Sequence, residues 1–350
     1  MPLRLPRRTL IAAAAVAGVL HGIPAAAADA VLNLYSARHY QTDEALYSDF
    51  TKRTGIRINR IEAGDEALLE RLRSEGRNTP ADVLLLVDAA RLWRAQIDGM
   101  FQPVRSKTLE ARIPAHLRGK DDGQGAEWFA FSTRARVIVY NKATIKPEQI
   151  RNYEDLASTS LKGRVCTRSG THPYMLSLIG AMSEHLGEAK TEAWARGVVA
   201  NFARTPRGGD TDQIKAVATG ECGVALTNTY YLVRMMRSDA AADKDAVSRI
   251  GMIWPNQETW GTHVNVSGGG VMRNAPNREA AVKFLEYLAS DSAQAYLADG
   301  NNEWPVVASA PTSNPVLNSL GKFKADTLPV GSVGRAQVTA AKIIDRAGWR

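Results

Sequence analysis

Gly223-Val224-Ala225-Leu226-Thr227-Asn228-Thr229-Tyr230-Tyr231-Leu232-Val233-Arg234 reads as a short apolar strand that hands over directly to a helix. Thr229 suits the N-cap, which puts Tyr230 and Tyr231 in the first helical turn. Backbone N–H groups and the helix dipole favour negative charge there. A phenol at such a place can become a phenolate when a cation shares the site. An isolated Tyr-Tyr pair more commonly packs one ring and exposes the other, so the pair gains weight only from the rest of the chain.

Outward from this stretch the same unit recurs. Arg164-Val165-Cys166-Thr167 predicts a strand, followed by helices over 174–185, 189–203 and 211–219. Ile250 to Trp254 predicts a further strand. Upstream, Val31 to Tyr35 and Ile56 to Ile61 alternate like half-buried strands, and the continuous run Val83 to Val87 suits a strand covered on both faces. Helices are expected after a Thr42 cap and over 66–74. Strand and helix alternate throughout this region, which predicts an α/β layer with a parallel sheet. From Trp128 to Tyr140 the chain runs extended with no helix, a crossover between two lobes. The stretch Thr262 to Val271 would return it. Its Gly268-Gly269-Gly270 lacks the lysine and spacing of a phosphate loop, and predicts a tight bend or a close backbone approach at a hinge. The fold class expected is α/β, with two lobes joined by two extended crossovers. The first lobe is placed at 31–132 and 262–310, the second at 133–261 and 311–350.

The 350 residues are 45% hydrophobic and 23% charged, enough for two globular domains. Residues 1–28 stand apart. Arg7-Arg8, the apolar run Leu10 to Leu20, Pro24 and Ala26-Ala27-Ala28 form an export leader cleaved near Ala28 or Ala30, too short to span a membrane. The arginine pair permits twin-arginine export, and the general secretory route fits equally. The segment has no cysteine for lipid attachment, so a soluble mature protein is expected. It holds Arg4, Arg7 and Arg8 and no acid, so its removal lowers the formal charge from +8 to +5. The remaining basic residues are interleaved with acids, which leaves no nucleic-acid footprint. Cys166 and Cys222 are the only cysteines. In an oxidising compartment they would form a disulfide tying the two tyrosine-bearing units together, and two buried thiols are the alternative.

Of ten tyrosines, Tyr35, Tyr47, Tyr140, Tyr153, Tyr287 and Tyr296 have no special placement. The other four do. Tyr40 follows the first strand in Ser36-Ala37-Arg38-His39-Tyr40, and Tyr174 opens a helix in Ser169-Gly170-Thr171-His172-Pro173-Tyr174. With Tyr230 and Tyr231, all four lie beyond carboxyl ends of strands, where open α/β sheets bind ligands. Converging phenols make a poor sugar or amino-acid site and a good one for a hard, highly charged cation. A free phenol has a pKa of about 10, and ligation by a trivalent ion outweighs loss of its proton. Hard oxygen ligands favour ferric iron. His39 could add a nitrogen or simply face solvent. Arg38, Arg134, Arg136 and Arg168 are placed to offset excess phenolate charge, although each alone reads as an ordinary surface residue. His172 and His263 read as structural.

Taken together, Ser36–Tyr40, Pro80-Ala81-Asp82-Val83, Gly170–Tyr174, Asn228–Tyr231, Asn265–Gly268 and Glu279–Leu288 resemble the ferric-iron-binding proteins of bacterial iron ABC importers. The resemblance spans essentially the whole chain after the leader. It is nearest the branch that uses several tyrosines and no obligatory carbonate. It implies a type II periplasmic-binding-protein fold closing on Fe3+, with Tyr40, Tyr174, Tyr230 and Tyr231 as ligands and His39 as an optional fifth. It further implies a periplasmic monomer that delivers iron to an inner-membrane ABC permease. Rival readings keep the fold and bind thiamine, a polyamine or an oxyanion, with Trp254 and Trp260 leaving room for stacking. An enzyme is disfavoured by the lack of a nucleophile elbow, a histidine-rich metal motif or paired catalytic carboxylates.

Overall fold

The computed structural model describes residues 1, 30–38 and 43–350. Residues 2–28 of the expected leader, His39, Tyr40 and the Thr42 cap lie outside the described residues.

Among the described residues nine strands form a single mixed sheet: β1 (Val31–Ser36), β2 (Arg57–Glu62), β3 (Val83–Val87), β4 (Phe129–Asn141), β5 (Val165–Cys166), β6 (Val224–Asn228), β7 (Ile250–Ile253), β8 (Val264–Val271) and β9 (Trp304–Pro305). The order is β2-β1-β3-β8-β4-β6-β5, with β7 and β9 also on β4. β1, β2 and β3 pair in parallel because helices Asp43–Thr54 and Asp65–Glu75 return the chain between them. Beyond them β8 runs antiparallel to β3, so the layer is mixed where alternation alone predicted a parallel one.

The extended stretch expected around 128–140 is one unbroken strand of 13 residues. Phe129 to Ala135 of β4 pair with β8, while Arg136 to Tyr140 pair with β6. One strand therefore feeds both halves of the sheet, and a β-bulge between Ala130 and Ser132 re-aims it midway. The three glycines lie inside β8 and make no bend. A Cβ at Gly268, Gly269 or Gly270 would strike the carbonyl oxygens of Phe129, Leu84 or Glu127 respectively. Close backbone approach, one of the two roles foreseen, is what they provide.

Buried apolar side chains gather on either side of β4. One cluster takes most of its members from 32–131 and 266–307. Two others draw on 138–250 and on Ala340 to Trp349. The helices expected over 174–185, 189–203 and 211–219 are Pro173–Leu186, Glu188–Ala200 and Asp210–Thr219. Cys166 and Cys222 form a disulfide with Cα atoms 5.9 Å apart, joining β5 to the entry of β6. Among the described residues no helix is long and apolar enough to cross a membrane.

Candidate metal centre

Two strand-to-helix joints build the site. β6 ends at Asn228, and the helix Thr229–Met236 begins at once. The cap is Asn228 rather than Thr229, a correction with a physical reason. Asn228 keeps the extended backbone of a cap (φ −81°, ψ 143°), yet makes no side-chain cap bond. Its Oδ1 instead accepts from Nη1 of Arg136 at 3.1 Å. Thr229 is the first helical residue, and its hydroxyl accepts from the Ala135 N–H at 3.3 Å. Tyr230 and Tyr231 remain in the first turn as expected. Their ring centres are 4.2 Å apart, with planes tilted by 31°.

At the second joint, His172 caps the helix Pro173–Leu186. Its Nδ1 accepts from the Tyr174 N–H at 3.2 Å, and its ring meets the Tyr174 ring edge-on at 4.5 Å. Pro173 occupies the first position, where its missing N–H costs nothing. Tyr174 and Tyr230 thus hold the same second position of two different helices. The two joints face each other, and the phenolic oxygens meet at 3.0 Å.

Positive charge surrounds the pair. The guanidinium carbons of Arg168, Arg134 and Arg136 lie 5.1, 5.8 and 5.9 Å from the centre of the Tyr174 ring. Arg234, which sequence reasoning did not single out, lies 5.4 Å from the Tyr231 ring and 5.9 Å from that of Tyr230. A position three or four residues beyond the tyrosines, on one helical face, was the signal for it. Arg136 is neutralised by Asp210 at 2.6 Å, and Arg168 reaches the same carboxylate at 3.4 Å.

Arg134 differs. It is fully buried, its Nη1 donates to Ser267 Oγ at 3.0 Å, and Glu303 stands 4.0 Å away without a hydrogen bond to it. Its Nε and Nη2 make no hydrogen bond. Burial works against this charge, and Glu303, Tyr174, Tyr230 and Asp88 together outweigh that effect. Arg38 joins the same network, pairing with Asp43 at 3.0 Å and with Glu303 at 3.5 Å. Glu303 was missed from the sequence. It sits in an irregular segment after a helix, and nothing in its neighbours marks it.

Burial pushes the Tyr174 phenol up to about 12, against the opposing pull of Arg134. With no cation present, the Tyr174 phenol therefore stays protonated, within hydrogen-bond distance of the Tyr230 hydroxyl. His172 and His263 are both lowered to about 3, chiefly by burial and then by nearby arginines, and so are neutral. Among the described residues no group of three or more histidine, cysteine or carboxylate side chains could hold a metal. A hard cation here would rely on phenol oxygens. The structure brings Tyr174, Tyr230 and Tyr231 together under Arg134, Arg136 and Arg168. Tyr40 and His39 lie outside the described residues.

The family model for bacterial extracellular solute-binding proteins matches residues 45–325. The chain belongs to that family. Iron uptake protein A1 of Synechocystis sp. is 52% identical to this solute-binding protein, over 91% of this chain and 87% of the relative. Iron uptake protein A2 of the same organism is 44% identical across the whole of both chains. A solved Trichodesmium structure in complex with iron and citrate ligands is 50% identical, with a TM-score of 0.87, covering 91% of this chain and 100% of that one. The solute-binding protein therefore has the type II periplasmic-binding-protein fold, two α/β lobes joined by extended crossovers.

Proposed function

We propose that this chain is the ferric-iron-binding component of a bacterial ABC importer, a periplasmic binding protein and not an enzyme. The observation that carries the proposal is the Tyr174–Tyr230 phenol pair, with the Tyr231 ring tilted against that of Tyr230 and the incompletely compensated Arg134 behind it. The relatives named for iron uptake and the iron-bound Trichodesmium structure support it.

In this reading Fe3+ is the cargo, held by Tyr174, Tyr230 and Tyr231, with Tyr40 as the fourth ligand and His39 as an optional fifth. Four phenolates around Fe3+ would leave a charge of −1, which Arg134 is placed to balance. Arg136 and Arg168 share Asp210 and so leave a net positive charge beside the phenols, whereas Arg38 is balanced by Asp43 and Glu303. The lobes divide at 31–132 with 262–310 and 133–261 with 311–350, and the sharing of β4 between β8 and β6 supports the first division point. The protein acts as a monomer, exported by a cleaved leader, and its closed form docks on an inner-membrane permease that takes up the iron.

The test is optical. Purified protein mixed with ferric nitrilotriacetate is expected to develop a broad visible phenolate-to-iron band that bleaches on reduction. The double variant Tyr230→Phe, Tyr231→Phe should fold and lack the band. A colourless wild type, or an unchanged band in the variant, overturns the reading.

A further inference from the structure

Asp88 ends β3 and caps the helix Ala89–Ile97, with φ 146° and ψ 137°. That backbone belongs to glycine, and a residue with a Cβ holds it only where its surroundings compel it. A cap needs no such conformation, since Ser, Thr or Asp caps helices from the ordinary extended region.

The Asp88 carboxylate is fully buried and serves three separate segments. It accepts from the Ala90 N–H at 2.8 Å within its own helix. It accepts from Asn265 Nδ2 at 2.8 Å, on the return strand β8. Ser177 Oγ lies 3.1 Å from both of its oxygens, on the helix that carries Tyr174. Asn265 also receives the Ala89 N–H on its Oδ1 at 2.9 Å, which closes the arrangement. Ser177 lies three residues beyond Tyr174, on the same helical face.

We propose that Asp88 is a positioning residue for the tyrosine site: it ties the Tyr174 helix to the first lobe and to β8, and so holds the Tyr174 phenol opposite Tyr230. Glycine would relax the backbone and lose the tie. Asparagine would replace one acceptor oxygen with a donor. The strain persists because only a carboxylate can serve the helix N-terminus, Asn265 and Ser177 at once. Burial raises the Asp88 carboxyl above its ordinary range, with Arg134 acting in the opposite sense, so the tie also lies within the field that the phenols feel.

The inference rests on the iron-binding reading for one arm of its test only. In iron-free protein, hydrogen exchange over 174–180 should quicken about tenfold in Ser177→Ala, as expected for loss of one hydrogen bond to a charged acceptor, and return to the wild-type rate in Ser177→Thr. In ferric nitrilotriacetate titrations, Ser177→Ala should weaken iron binding by a similar factor and alter the visible band, with Ser177→Thr restoring both. Asp88→Gly relieves the backbone strain but leaves three buried donors unpaired, so it should lower the melting temperature as well as the iron affinity. Wild-type exchange in Ser177→Ala overturns the proposal. Unchanged iron binding in both Ser177→Ala and Asp88→Gly also overturns it. If the wild type binds no iron, the function proposal fails, and the exchange arm still decides the tie.

Discussion

The phenolic oxygens of Tyr174 and Tyr230 lie 3.0 Å apart, although 56 residues separate them in the chain. Each is the other's hydrogen-bond partner, so a cation binding between them must displace a proton from both. Tyr174→Phe should therefore weaken Fe3+ binding by more than the roughly 10–100-fold typical of losing an outer-shell group. The iron-free variant should lose only about 1 kcal/mol of stability, the worth of one net hydrogen bond. Iron titration and urea unfolding measure the two effects; equal losses in both would mean that the ring merely packs.

Asp210 organises the other side of the site. Its Oδ2 accepts from Arg136 at 2.6 Å and from the Asn228 N–H at 2.7 Å, and its Oδ1 accepts from Arg168 at 3.4 Å. Asp210→Asn leaves Arg136 buried without a compensating anion and should cost about 3–5 kcal/mol. Removing the orphaned charge with Arg136→Met in the same chain should recover part of that loss. A double-mutant cycle by urea denaturation measures the coupling, and additive effects would refute it.

The Cys166–Cys222 bridge closes a separation of 56 residues. Loop entropy assigns such a bridge about 4 kcal/mol, in a model whose mechanism is disputed. The double variant Cys166→Ser, Cys222→Ser should lose stability of that order in guanidinium unfolding. The fraction still folded should keep the visible iron band, because the proposed ligands include no sulfur.

His263 is buried, and its pKa is lowered to about 3 by burial and then by Arg136, Arg134 and His185. The unfolded chain takes up its proton near pH 6.5, while the folded state does not until about pH 3. Its contribution to stability is thus complete above pH 6.5 and lost as the pH falls toward 3, at a slope of up to about 1.4 kcal/mol per pH unit. His263→Gln should flatten that part of the stability profile in urea titrations run at several pH values. An unaltered slope would show that His263 is protonated in the folded protein.

Much of the architecture was legible from short-range patterns. Val83 to Val87, apolar throughout, is a central strand because only a strand covered on both faces tolerates such a run. Placement of Tyr174 and Tyr230 in first helical turns followed from Pro173 and from the end of the apolar run before Thr229. The cap itself was misread. Asn228 and Thr229 both suit the position, and what decided between them was the pairing of β6 with β4, which holds Asn228 extended opposite Arg136, distant in sequence. The β8 glycines were recognised as special, yet whether they bend or pack depended on strands they had not met.

Asp88 carried a visible cap signal, a short polar residue between an apolar run and a helix. Nothing local announced that its carboxylate would also reach Ser177 and Asn265. Glu303 carried no signal at all.

The amino-acid sequence by itself determined which segments become strands and helices and which side chains stand at their joints, because hydrophobic period, caps and turn chemistry act over a few residues. Only the tertiary structure decided which joints face each other and which buried charges go uncompensated. Those outcomes rest on contacts between segments tens to hundreds of residues apart: the phenol pair, the Asp88 tie and the buried, unbonded flank of Arg134 exist only once the sheet has brought their strands together.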